Sequence, residues 1–214
     1  MANTNGSFGL RPVGTVGQNG NTGGLTEYRI ASDNSNKMYQ GSPVIPLAAG
    51  VIDIVGAAAG GTVGLLGVFW GCEYVSSTTG KKVWSNTWPG AGANSNYPVK
   101  AFVYDDPMQV FVIATSNVVA AANTEAEIRA AVFANANFAD GDTGDDTTGL
   151  SDATLDLNTI ATTNTLNLRI MGIQEDPENA DFTAAGIPVL VRLNNHFNSP
   201  NGAIAGGTVS TTGV

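Results

Sequence analysis

One cysteine and one histidine are all the thiol and imidazole that this 214-residue chain holds. A lone Cys72 cannot close an internal disulfide, which fits folding in a reducing cytoplasm. Flanked by Trp70 and Tyr74 in GVFWGCEYV, it reads as a small buried hydrophobe rather than a nucleophile. Zinc sites draw on several Cys or His ligands, and two in total fall short. A Ser-His-Asp arrangement would have to use His196, in NNHF, and no nucleophile-elbow motif accompanies it. The string nearest to a phosphate loop, GGTVGLLG, lacks the lysine such loops need. On these grounds no catalytic residue, cofactor or metal is assigned, and the chain reads as something other than an enzyme.

Charge is also scarce. Only 13% of residues are charged, about half the usual share. Residues 1–100 carry six Lys or Arg against four Asp or Glu, and residues 101–214 carry three against fourteen, for a net charge of −9. An acidic chain repels phosphate backbones, which argues against nucleic acid as a partner. The basic residues of the first half are scattered and form no patch in sequence. Long apolar runs are missing too. The most apolar window, GVIDIVGAAAGGTVGLLGVFWG, is broken by Asp53 and seven glycines and is not read as a membrane span. The opening MANTNGSFGLRPVG has no apolar core of the signal-peptide kind, which argues against secretion by that route.

What fills the gap is Gly, Asn, Thr, Ser and Ala, a composition suited to β-rich structure with many turns. Residues 1–24 read as an extended arm. Phe8, Leu10 and Val13 are isolated apolar residues on it, and they dock either on the chain's own core or on a neighbouring subunit. Residues 25–198 read as short alternating strands, among them LTEYRIA, KMYQGSPVIPLA (broken at Gly41 and Pro43), GVFWGCEYV, LNLRIMGI (with a bulge near Gly172) and IPVLVRLNNHF. TGKKV marks a hairpin turn. Thr124 stands three residues before Glu127, the capping-box spacing, and predicts one helix with Ile128, Ala131 and Val132 on one face. Residues 199–214 read as a flexible tail. The fold class expected is mainly β: an antiparallel barrel or sandwich with one short helix and an extended N-terminal arm.

Three stretches hold residue types that could carry function. In VYDDPMQVFVIAT, Asp105 and Asp106 precede a proline. A general acid–base pair needs a cleft and a cause for its pKa values to separate, and nothing nearby supplies either, so a strand-to-strand corner is expected. ANFADGDTGDDTTGLSDATLDL is expected to be a long acidic loop; its run DGDTGDD, Asp140 to Asp146, lacks the EF-hand glycine and glutamate positions and is expected to be solvated. WSNTWPGAGANSNYP is expected to be a loop carrying Trp84, Trp88 and Tyr97, which fill the monomer core, a subunit interface or a sugar-stacking surface. Phe8, Leu10, Arg11, Val13, Trp84, Trp88 and Tyr97 are the interface candidates.

The order of several short motifs resembles the head decoration (cement) proteins of tailed bacteriophages. These are the Asn-Gly opening leading to FGLRPV, then YRIASDNSNKMYQGSPV, VYDDPMQVFVI, TGLSDATLDL, LNLRIMGI and VLVRLNNHF. The resemblance covers most of the chain, although residues 76–100 are longer and more aromatic than its pattern. It implies a homotrimer, made in the host cytoplasm and seated on the outer surface of an icosahedral virion, where it would clamp major capsid proteins at local three-fold positions. The aromatic stretch keeps open an alternative, a carbohydrate- or receptor-binding protein of the virion surface.

Overall fold

The computed structural model describes residues 3–17, 24–56, 64–116 and 124–199. Most of the glycine run at 18–23 and nearly all of the expected C-terminal tail lie outside the described residues. The fold is mainly β, with two antiparallel six-stranded sheets and one short helix, as in a sandwich. Neither sheet closes into a barrel.

The first sheet runs β1 (Arg11–Thr15), β8 (Gln109–Ala114), β12 (Pro188–Leu193), β11 (Leu168–Ile173), β9 (Asn135–Ala139) and β10 (Thr154–Ala161). The second runs β2 (Thr26–Ile30), β7 (Val99–Tyr104), β5 (Gly67–Val75), β3 (Pro43–Pro46) and β4 (Ile52–Ile54), with β6 (Lys82–Ser85) along the far half of β5. The chain therefore begins in one sheet, builds the whole of the other, and returns. Departure and return lie side by side, where the Val16 amide donates to the Met108 carbonyl at 3.0 Å.

Alternation explains each face. Val99, Ala101 and Val103 of β7 are buried, while Lys100, Phe102 and Tyr104 turn the other way. The second sheet gathers Ile30, Val44, Ile52, Phe69, Cys72 and the β7 trio around Met38 and Trp88. The first gathers Phe111, Ile113, Leu155, Leu168, Ile170, Val189 and Val191, joined by Val55, Leu65 and Val68 from the other half of the chain. A bulge shifts the β11–β12 register between Ile170 and Gly172, near where the sequence places one.

The helix α1 (Glu125–Ala130) forms where the capping box predicts it. The Thr124 hydroxyl accepts from the Glu127 amide at 3.3 Å and donates to the Glu127 carboxylate at 2.7 Å. Ile128, Ala131 and Val132 pack into the first core.

Two boundaries differ from expectation. Trp84 is on strand β6, paired with Glu73, and not in a loop. Apart from Val83 its neighbours in sequence are polar, which hides a strand that is set by pairing with β5. The long acidic loop is also shorter than its composition suggests, because NANFA and TLDLNTIA at its ends are strands β9 and β10.

The N-terminal segment is packed on its own chain over residues 3–16. Leu10 has no exposed surface and belongs to the first core, and β1 pairs with β8 as an edge strand. Asn179 receives the Thr4 and Asn5 amides, each at 2.8 Å, and Asn3 donates to the Asp181 and Ala185 carbonyls. Of the two dockings expected for the apolar triplet, Leu10 takes the one on its own core, which leaves it no surface for a neighbour. Phe8 lies under the Arg11 guanidinium, 4.6 Å from its ring centre. Val13 is exposed.

Candidate functional site

The Asp105–Asp106 corner carries β7 of one sheet into β8 of the other. Its carboxylates point to different tasks. Asp105 accepts from the Thr26 hydroxyl at 2.8 Å and the Tyr28 hydroxyl at 2.7 Å, tying the corner to β2. Asp106 accepts from the Met108 amide at 2.7 Å and the turn closes with Gln109 donating to its carbonyl. Burial first, and then the hydrogen bond to Asp105, push the Tyr28 phenol up to about 12. These are the bonds of a turn. They leave no shared proton site between the two acids.

The acidic loop is folded against Tyr39. Asp146 accepts from the Tyr39 hydroxyl at 2.9 Å and pairs with Lys37. The Lys37 hydrogen bond, followed by that of Tyr39, holds the Asp146 carboxyl below the usual carboxylate range. Asp145 is lowered by the Thr147 amide, then by the Thr148 hydroxyl. Among the described residues no three acidic, histidine or cysteine side chains gather as metal ligands would.

His196 and Cys72 are both buried, Cys72 within the second core. His196 is 1% exposed; its Nδ1 accepts from the Asn198 amide and its Nε2 has no partner. Burial pulls its imidazole down to about 4. The Cys72 thiol donates to the Thr87 carbonyl, and burial pushes it up to about 12. A thiol so raised stays protonated at neutral pH, which removes the thiolate that nucleophilic chemistry needs.

The interface candidates do not form one patch. Trp88 is fully buried, its ring edge-on to Tyr74 at 5.5 Å and its indole donating to the Asn34 carbonyl. It is a core residue, one of the three settings the sequence leaves open to it, and it is removed from the interface candidates. Tyr97 is exposed on the turn that follows Asn94. Trp84 is 65% exposed and faces the opposite side of the second sheet from Trp88.

That outer side holds an aromatic surface feature. Trp84 on β6 stacks on Phe102 of β7, with ring centres 5.8 Å apart and planes 10° apart. β5 runs between these two strands, and the residue it places opposite Phe102 is Gly71. With no side chain at Gly71, the indole leans across β5 to reach Phe102. Trp70, displaced by the bulge between Phe69 and Gly71, bounds the groove and meets Tyr104 edge-on at 5.3 Å. Leu25, Ser85 and Asn86 complete a depression of about 510 Å³. Two ion pairs flank it, Lys100 with Glu27 at 2.8 Å and Lys82 with Glu73.

Phe102, Trp70, Gly71 and Leu25 escaped the sequence reading. The signal was present in VKAFVY, whose alternation sets Phe102 opposite to the buried Val99, Ala101 and Val103. The same reading missed Phe133, an exposed aromatic held at φ 75, in the left-handed region.

No family model, curated protein or solved structure matches the chain.

Proposed function

We propose that this protein is a structural component of a phage virion, a homotrimer on the outer capsid surface that stabilises the head by multivalent contacts with the major capsid protein. The motif order described above supports this reading. The structural observation that carries it is the apolar strip at the first sheet's margin. Val13, Val16 and Met108 stay exposed there, beside an edge strand, with Val16 and Met108 joined through their backbones. Apolar side chains in solvent at a sheet edge gain only when another surface covers them. The function is contact, not bond chemistry. His196 and Cys72 are both buried, and the two acids of the corner are spent on a turn.

Multivalency supplies the mechanism. Each contact is weak, yet a trimer that engages several capsomers raises the effective concentration of every further contact. The capsid then resists internal pressure because the contacts must break together.

Multi-angle light scattering and binding to heads that lack the protein test this. The expected result is a trimer that saturates particles, and a Val13→Asp, Val16→Asp double variant that stays folded and no longer binds. A monomer both in solution and when eluted from particles would overturn the reading, as would undiminished binding by the double variant.

A further inference from the structure

We propose that the Trp84–Phe102 face is a glycan-binding site that stacks a pyranose ring on the exposed side of the Trp84 indole. This inference is independent of the capsid-binding strip, which uses other residues of the other sheet.

The arrangement of the aromatic rings comes first. An exposed tryptophan on a strand ordinarily samples several rotamers, and ordering it on binding costs free energy. Here Phe102 holds one side of the indole in a stack, with the planes 10° apart. The other side faces solvent, and Trp84 remains 65% exposed. The result is a flat, apolar, pre-ordered surface of ring size. The C–H face of a pyranose is complementary to such a plane, while its equatorial hydroxyls are left to find polar partners at the rim.

The rim supplies them. Glu27 faces the same side as Phe102, and Glu73 the same side as Trp84, by their strand register. Each carboxylate is held by a lysine, Lys100 and Lys82 respectively. Glu73 itself is buried, so a hydroxyl meets Glu27 and Lys100 on one flank of the indole and the exposed Lys82 ammonium on the other. Arg29 adds one more positive charge at the margin, opposite Lys100. Charges on this face therefore nearly balance, which favours recognition through hydroxyls over capture of a phosphate or sulfate group.

The ion pairs also separate a sugar from a protein partner. A protein surface laid flat on this face would strip water from Lys82, Lys100 and Glu27 and repay the loss only with well-matched polar groups. A sugar chain exchanges water around the same groups for hydroxyls and leaves the pairs partly solvated. The depression, about 510 Å³, is shallow and open, as suits a ring laid on the indole and not one enclosed in a cleft.

Isothermal calorimetry on the full chain with cellohexaose, maltohexaose, mannohexaose and N-acetylchitohexaose tests the site. At least one of these is expected to bind saturably. Trp84→Ala should weaken that binding about tenfold, and Trp84→Phe should retain most of it. Circular dichroism of both variants should match the parent, since Trp84 contributes little to the core. No saturable binding of any of the four up to roughly 10 mM overturns the proposal. So does binding that Trp84→Ala leaves unchanged. Loss of particle binding in Trp84→Ala without any sugar response would assign the face to a protein partner, and it too overturns the proposal.

Discussion

Gly9 and Gly41 cross at backbone contact. A Cβ on Gly9 would stand 2.8 Å from the Gly41 carbonyl oxygen, and one on Gly41 would stand 3.1 Å from the Leu10 amide. Both residues have positive φ, and the Leu10 amide donates to the Gly41 carbonyl at 3.0 Å. The FGLRPV motif is explained residue by residue at this seam. Phe8 supports Arg11, Gly9 permits the crossing, Leu10 enters the core, and Pro12 sits on an edge strand where a lost amide is tolerated.

Gly9→Ala should therefore destabilise the fold by about 2 kcal/mol or more, from backbone strain together with a clash that no side-chain rotation relieves. Leu10→Ala should cost about 2–5 kcal/mol through the cavity it leaves. Urea denaturation measures both. Leu10→Ala with an unchanged midpoint would show that the N-terminal segment contributes no stability.

Two buried asparagines should respond in opposite directions. Asn179 accepts three hydrogen bonds, from the Thr4 amide and hydroxyl and from the Asn5 amide. Asn179→Ala should cost about 1–3 kcal/mol and expose residues 3–10 to proteolysis. Asn167 is 1% exposed, and neither its Oδ1 nor its Nδ2 has a partner. Asn167→Leu should be neutral or stabilising by about 1 kcal/mol, because it removes an amide that was desolvated without compensation. Thermal melts of the two variants check the contrast.

His196 sets a pH dependence. Burial lowers its pKa from 6.5 to about 4; the charges of Asp105 and Asp106 oppose that shift and Arg192 adds to it. The unfolded chain therefore takes up a proton that the folded chain refuses. Stability is full above pH 6.5 and falls as pH drops toward about 4, by at most about 1.4 kcal/mol per pH unit. Denaturation midpoints at pH 7, 6 and 5 (roughly the span of that transition) should fall steadily for the parent. A His196→Leu variant should hold nearly level over the same range. A parallel decline in both would remove His196 as the cause.

Gly71 offers a structural test of the aromatic face. A Cβ there would lie 2.9 Å from the Ser85 carbonyl oxygen, so Gly71→Val must push β6 away from β5. The stack of Trp84 on Phe102 should open, shifting tryptophan emission to longer wavelength at a cost of about 1–3 kcal/mol. Emission identical to the parent would mean that the glycine is not what lets the rings meet.

Much of the fold was legible because burial follows alternation. TEYRI, VKAFVY, LRIMGI and PVLVRL each show it, and the capping box located the start of the helix, which ends at Ala130, short of the Ala131 and Val132 expected on its face. Strand β6 was not legible, since KVWS among Ser, Thr and Asn owes its extended form to β5 and not to its own pattern. Nor could the sequence say which tryptophan is buried. Trp84 and Trp88 are four residues apart in similar polar surroundings, and only the turn of the chain after Ser85 sends the second into the core. The Trp84–Phe102 contact joins the consecutive strands β6 and β7 across a third, β5, a relation set by strand pairing and not by any local pattern.

The bond between Val16 and Met108 bears on how the molecule is assembled. Everything between those two positions is an excursion that must be synthesised before the edge strand finds its partner. Closing so wide a loop is entropically costly, and it delays pairing while the nascent N-terminus emerges with Leu10 uncovered. The first sheet, although it holds the earliest strand, is therefore the last to be finished.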